Sequence, residues 1–465
     1  MFYHSCLRAG IVRRLCLTVL LLALAGCSAL PVLREHRLAV PPEGLPDIVD
    51  TSGYLGPEQV RDVLFHLAAD DSERQALAAW MIREQYISSQ PLVYGNALTL
   101  LQDGGESYKA KLAAMEQAER FINMEYYIFD RNGSGRLFLD ALEQKQAAGV
   151  QVNIIYDGVG TFTMPYSMFD PITRLGGNVL EYRPVRPPHF LFFWFLKPRD
   201  HRKQLIIDGE TAFIGGINIS PVYDPSTGRK HVPRQDRPWR DTDIMIQGPA
   251  VHRLQNVFLK TWKQHNRIGL LRRKYLHVAQ NRGSGLVRVL ADDSYSSERS
   301  IYKAYLLAIN NAKQTILIQT PYFVPGRKFV RALAAAAKRG VAVHVMLPAY
   351  SDTGFVFHAG RSYYAYLIKR GVHLYEYNKS MLHSKVAVVD GIWSTIGSAN
   401  IDYLSFLHNE ELNVVVYGRD FAAKVASMFH ADLRHTRKIT RQDVRLRPWY
   451  NRFMEFFGRL CRYWL

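Results

Sequence analysis

Two copies of one short phrase constrain this chain more than anything else in it. His201-Arg-Lys203-Gln-Leu-Ile-Ile-Asp208 is followed by Gly215-Gly216-Ile-Asn218, and His383-Ser-Lys385-Val-Ala-Val-Val-Asp390 by Gly397-Ser398-Ala-Asn400. Counted from the histidine, Lys falls at +2, Asp at +7, Gly at +14 and Asn at +17 in both copies. One such pattern arises by chance in long chains; two in matching register, each closed by Gly-x-x-Asn, do not. The apolar runs Gln204–Ile207 and Val386–Val389 each end in Asp-Gly, a hairpin signal, so each motif reads as a strand, a tight turn and a returning strand. Strand alternation sends His and Lys of each pair to one face.

The surrounding grammar is also duplicated. Before the first motif come a helix from Ser107 to about Glu119, a strand Phe121–Ile128, a helix Ser134–Ala148 stopped at Gly149, and a strand 150–156. Before the second come a helix Glu298–Asn311, a strand Thr315–Gln319, a helix from about Arg327 to Arg339 stopped at Gly340, and a strand Val341–Leu347. Helix and strand alternating in this way specify a layered α/β domain, present twice. With 465 residues the chain suits two domain-sized units. The division expected is 95–270 and 271–446, with the basic stretch Arg267–Lys274 and then Gly283 and Gly285 marking the linker. Upstream, 27–94 reads as a tether to about Ser52 and a helical extension over Pro57–Tyr86, interrupted at Asp70-Asp71-Ser72, with Ser72 as the cap of its second helix.

Residues 1–26 read as a targeting segment: Arg8, Arg13 and Arg14 precede the apolar run Leu15–Leu24. The sequence Leu24-Ala25-Gly26-Cys27 resembles the lipobox of bacterial lipoproteins, which implies lipidation at Cys27. An uncleaved anchor and an ordinary signal peptide are the alternatives. Ser28 lacks the Asp that favours inner-membrane retention in such lipoproteins, so a periplasm-facing site, with the outer membrane ahead of the inner, is the expectation. No later apolar run reaches spanning length, so the chain is expected to sit on a membrane. Cys461 would be left without a disulfide partner.

The formal charge of +18 suits an anionic partner, either nucleic acid or bilayer. Two stretches lean toward lipid. The run Pro187–Leu196 carries Phe190, Trp194 and further aromatic residues just before the first motif, and reads as either an interfacial loop or buried core. The tail, 447–465, interleaves Arg452, Arg459 and Arg462 with Phe453, Phe456, Phe457 and Trp464. It reads as an amphipathic helix for an anionic membrane surface, or as a terminal helix packed on the protein.

The chemistry follows from the residue types. A neutral imidazole can be a nucleophile, and an ammonium and an Asn amide hold anionic oxygens. Two units face to face supply one attacking and one proton-donating His, with Lys203, Lys385, Asn218 and Asn400 around the charge. That set serves displacement at a phosphodiester without a metal or other cofactor. Each imidazole needs a partner on its other nitrogen. Asp241 and Glu411, each seven residues before a glycine and leading into a strand-like run, form the matched pair of candidates. Asp208 and Asp390 belong to the motif and fit hairpin turns better than contact with substrate. No Gly-rich nucleotide loop and no Cys/His metal cluster is present in the sequence.

The duplicated motif is similar to that of the phospholipase D superfamily. Glu125-Tyr-Tyr-Ile-Phe129, Trp239-Arg-Asp241, Gly248-Pro249-Ala-Val251, Thr320–Pro325 and the run from Asp402 through Ser405, Phe406 and Asn409 to Glu411 resemble bacterial cardiolipin synthases, over roughly 95 to 450. Leu404 stands where that family usually has Arg, and a lipobox stands where its members more often carry hydrophobic helices. The resemblance implies two α/β/α repeats forming a pseudo-dimer with one active site in the cleft between them. It further implies phosphatidyl transfer through a phosphohistidine, with phosphatidylglycerol as donor and acceptor. His201, Lys203, Asp208, His383, Lys385 and Asp390 are then the catalytic motif, with His201 as nucleophile and His383 as acid, then base. Hydrolysis to phosphatidic acid, a nuclease, and a non-catalytic lipid-binding lipoprotein are the competing readings; the lipobox and aromatic loop speak against nucleic acid.

Overall fold

A computed structural model describes residues 44–185, 198–224, 236–266, 270, 275, 277, 279–294 and 298–461. The lipobox with Cys27, the loop 187–196, most of the stretch 267–274 and residues 462–465 lie outside the described residues.

Each repeat builds the same mixed sheet. In the first the strand order is Asn178–Tyr182, Gln151–Asp157, Phe121–Tyr126, Lys203–Ile207, Thr211–Gly215, Asp243–Gln247 and Leu92–Leu101, with the first three parallel and the rest antiparallel. The second repeats it with His373–Tyr377, Ala342–Pro348, Thr315–Gln319, Val386–Val389, Trp393–Gly397, Glu411–Tyr417 and Gly285–Asp292. Among the described residues, Thr436–Ile439 adds an edge strand to the second only. Leu92–Leu101 and Gly285–Asp292 pair antiparallel and join the two sheets.

Period-two alternation decides which core each side chain enters. Along Val386–Val389, Val386 and Val388 point into the core between the repeats, and Ala387 and Val389 into the outer core. The helices Ala250–His265 and Arg419–Leu433 fill the space between the sheets with Leu254, Phe258, Trp262, Val425 and Phe429. Gly104–Glu116 and Ser134–Ala147 cover the outside of the first sheet, and Ser300–Asn311 and Gly326–Lys338 the outside of the second.

Several sequence expectations shift. The tether ends sooner than Ser52, because Ile48–Asp50 pairs parallel with Leu92–Val93 and antiparallel with Gly53–Tyr54, satisfying backbone groups that would otherwise compete with water. Asp70, not Ser72, caps the helix Asp71–Ser88, its carboxylate accepting from Glu73 N at 2.8 Å. Asp103 moves the start of the next helix from Ser107 to Gly104 in the same way. Gly285 belongs to a strand rather than a linker: a side chain there would meet Asn96 O at 2.6 Å, so glycine lets the joining strands approach.

The helical extension Pro57–Leu67 and Asp71–Ser88 packs into the outer core of the second repeat, beside Leu92 of the joining strand. Trp80 stacks on Trp393, and the fully buried Glu84 accepts from Arg288 (2.6 Å), Trp393 Nε1 (2.9 Å) and Tyr417 OH (3.0 Å). Removing one partner of such a buried pair costs about 3–5 kcal/mol, so the extension is fastened to its repeat.

Candidate active site

The two hairpins carry their motif histidines and asparagines to one cavity at the carboxyl ends of the parallel strands, the usual ligand position in α/β sheets. The cavity has a volume of about 560 Å³ and is lined by His201, His383, Asn218 and Asn400, with Tyr127, Trp239 and Tyr322 around them.

Each histidine is held by the opposite repeat. His201 Nδ1 lies 3.0 and 3.1 Å from the Glu411 carboxylate oxygens, and His383 Nδ1 lies 2.7 Å from Asp241 Oδ2. The backbone repeats the exchange: His201 N donates to Glu410 O at 2.9 Å and His383 N to Arg240 O at 2.7 Å. Bridges Asp200–Glu410 and Arg240–Leu382 complete two matching straps, each joining the residue before a histidine to the residue before the other repeat's carboxylate. A carboxylate on Nδ1 fixes the Nδ1–H tautomer and leaves the Nε2 lone pair for chemistry.

The straps are not identical. Ser398 Oγ donates to Glu411 Oε2, whereas its counterpart Gly216 has no side chain, and a Cβ there would fall 2.2 Å from Asp241 Oδ1. The shorter Asp241 thus needs a glycine, while the longer Glu411 gains a hydroxyl. Burial raises Glu411, but the His201 charge and hydrogen bond, with Lys203 and Ser398, bring it below the ordinary range. Burial pushes Asp241 up to about 6 against the pull of Lys385. The Tyr223 hydroxyl oxygen also lies 3.2 Å from His383 Nδ1. Tyr223 links this histidine to Asn218, whose Nδ2 donates to the same hydroxyl at 3.2 Å.

The lysines lie buried beneath the histidines. Lys203 Nζ donates to His201 O at 2.6 Å, and Lys385 Nζ to His383 O, standing 2.9 and 3.2 Å from that ring's two nitrogens. Burial lowers Lys203 to about 7 and Lys385 to about 8. Burial also lowers His201, against Glu411, and burial with the Lys385 charge lowers His383. Burial thus weakens the protonated form of four basic groups beneath one cavity, a form that an anionic ligand would restore.

Asp208 and Asp390 stand elsewhere, in the hairpin turns, with φ of 54° and 51° beside Gly209 and Gly391. Asp208 accepts from Glu119 N, Arg120 N and Phe121 N, each at 2.8 Å, and Asp390 from Lys313 N, Gln314 N and Thr315 N at 2.7, 2.8 and 2.9 Å. Each ties its hairpin to the start of the neighbouring strand, and neither lines the cavity.

Sequence reasoning paired the carboxylates with the histidines but not across the repeats, and it missed Ser398 and Tyr223 as supporting groups. Ser398 had a signal: it is the one position where the two Gly-x-x-Asn segments differ in capacity to hydrogen-bond. Tyr223 had none, since only the fold brings it to His383.

A duplicated α/β unit with one paired-histidine site defines the phospholipase D superfamily of enzymes, and the comparisons agree. A cardiolipin synthase of Alkalihalophilus pseudofirmus is 33% identical over 379 residues, covering 80% of this chain and 73% of that protein. The major cardiolipin synthase of Bacillus subtilis is 34% identical over 373 residues, covering 78% and 74%. The crystal structure of a phosphatidylserine synthase from Haemophilus influenzae shares the fold, with a TM-score of 0.64 and 14% identity over 82% of this chain and 99% of that one. The family model described as cardiolipin synthase, PLD-like domain matches residues 112–223 and 305–433, and the chain belongs to that family.

Proposed function

We propose that this enzyme is a membrane-associated phosphatidyltransferase that joins phosphatidylglycerol molecules into cardiolipin through a covalent phosphohistidine, without a metal. The observation that carries this reading is the pair of histidines strapped across the repeats into one cavity. In the first step His201 Nε2 attacks phosphorus and His383 protonates the departing alcohol oxygen. In the second, His383 takes the proton of the incoming hydroxyl, whose oxygen bonds to phosphorus as the P–N bond breaks and His201 leaves neutral. Lys203 and Lys385 hold the charge of the pentacoordinate state, and the Asn218 and Asn400 amides flank it.

Membrane association rests on the tail. Among the described residues no helix is long and apolar enough to cross a bilayer. The helix Trp449–Leu460 docks by Gly458 against Ala359 and leaves Trp449 79%, Phe453 54% and Phe456 59% exposed beside basic residues, a face suited to an anionic lipid surface. Lipidation at Cys27 would add a second, periplasm-facing anchor, at the outer membrane ahead of the inner. Metabolic labelling with a fatty acid, compared with Cys27→Ala, tests it: label lost in the variant supports the anchor, and label absent from the wild type removes it.

The test of function is a product assay in phosphatidylglycerol micelles with chelator present. Cardiolipin from the wild type and none from His201→Ala supports transfer. Phosphatidic acid alone makes the enzyme a hydrolase, and undiminished activity in the variant rejects the phosphohistidine.

A further inference from the structure

The two walls of the cavity differ in chemistry. Besides apolar residues on both sides, the first repeat contributes the cation Arg199 with Tyr127 and Trp239, and the second contributes the carboxylates Asp352 and Asp402 with Thr353 and Ser405. Asp402 has no acidic counterpart opposite: the position two residues after the motif asparagine is Ser220 in the first repeat and Asp402 in the second. A carboxylate only accepts hydrogen bonds and repels phosphate. In a cavity built to take an anionic phosphodiester, these side chains suit a different group, one that donates.

The amides point the same way. Asn218 is committed to the protein, its Oδ1 accepting from Ile128 N at 3.1 Å and its Nδ2 donating to Tyr223 OH. Asn400, on the carboxylate wall, is 5% exposed, and its Oδ1 has no hydrogen-bond partner. Asp352 is held toward the cavity by Tyr322 OH, at 2.8 and 2.9 Å from its two oxygens. Asp402 caps the helix Tyr403–Leu407 through Ser405 N at 2.8 Å, which fixes its carboxylate at the wall. Burial raises Asp402 to about 7 against the hydrogen bond from Ser405.

We propose that the second-repeat wall, centred on Asp402 and Asp352 with the unpartnered amide oxygen of Asn400, is the subsite for the acceptor alcohol and selects a polyol head group by accepting hydrogen bonds from its hydroxyls. This rests on the transferase reading above. One hydroxyl is presented to phosphorus: its oxygen forms the new O–P bond, its proton passes to His383, and the N–P bond to His201 breaks. The neighbouring hydroxyl is bound by the carboxylates. Water and monoalcohols offer no second donor on the same carbon frame, so the wall favours transfer to a polyol over hydrolysis.

The experiment offers deuterated glycerol and 1-propanol as competing acceptors to the full chain with a phosphatidylglycerol donor, and follows both transfer products and phosphatidic acid by mass spectrometry. The variants are Asp402→Asn, which keeps the helix cap, and Asp352→Asn, which keeps an acceptor for Tyr322. The wild type should prefer glycerol to propanol. Each variant should lose about tenfold in that preference, with the KM for glycerol rising and the transfer-to-hydrolysis ratio falling, as expected for lost hydrogen bonds to a charged group. A structural defect would lower all products together. Parallel decline, or an unchanged glycerol-to-propanol ratio, overturns the assignment. A wild type that makes phosphatidic acid alone, or no product, overturns the transferase reading and this one with it.

Discussion

The two half-sites are built from one motif but finished differently. His201 is held by a glutamate that a serine supports, and His383 by an aspartate pressed against a glycine and joined by a tyrosine. Even the positions beneath them diverge: Glu410 precedes Glu411 and pairs with the buried Arg202 at 3.0 Å, whereas Arg240 precedes Asp241 and pairs with Asp432 at 2.9 Å. A symmetric scaffold can give its two imidazoles the same reach while surrounding them with different charge. That difference suits the distinct roles proposed for the two histidines. Because each carboxylate serves the other repeat, neither half forms a working site alone.

Substitutions at the carboxylates break this comparison most severely. Glu411→Gln and Asp241→Asn each preserve size but remove the charge that fixes a histidine tautomer, and each should lower turnover by about a thousandfold. If the straps are exchanged as described, Glu411→Gln alters the NMR titration of His201 and Asp241→Asn that of His383. A variant that changes the histidine of its own repeat contradicts the exchange.

The glycine–serine difference sharpens it further. Gly216→Ser forces a side chain into the Asp241 carboxylate and should cost about a hundredfold in activity, whereas Ser398→Gly removes one charged hydrogen bond and should cost about tenfold. Equal losses at the two positions would show that the half-sites are interchangeable.

A smaller effect concerns protons. Lys203 and Lys385 lie at about 7 and 8 in the empty site, so at pH near 8 part of their charge is absent. An anionic ligand favours the protonated forms, and binding should therefore take up protons. The lysines' share of that uptake should exceed one proton near pH 8 and fall toward pH 6, where both are already charged. Calorimetry of a phosphonate lipid analogue in buffers of different ionisation enthalpy measures it. Proton release instead would contradict the electrostatics of the site.

Much of this architecture was legible in the sequence because it is local. The strands Thr315–Gln319 and Val386–Val389 have the bounds their apolar runs indicate, and the Asp-Gly turns reported their own geometry. The helix Ala250–His265 went unread although its signal was present, with Val251, Leu254, Phe258 and Trp262 at helical spacing. What local pattern cannot carry is partnership. That Glu411 would meet His201 rather than His383, and that Ile48–Asp50 would find Leu92–Val93, depend on how distant segments close on one another. The structure also places Asp208 and Asp390 in the hairpin turns, as their Asp-Gly pairs indicate, although the resemblance counts them in the catalytic motif.

The central claim is that the strapped pair divides nucleophile from acid–base, and trapping the intermediate tests it most directly. A phosphatidyl ester with a strongly acidic alcohol as leaving group needs little protonation to depart, so His383→Ala should complete the first step and stall before the second. Peptide mass spectrometry of the quenched variant should find the phosphatidyl group on His201, and none should form in His201→Ala. Steady turnover by His383→Ala without an adduct, or an adduct on any other residue, would contradict the account.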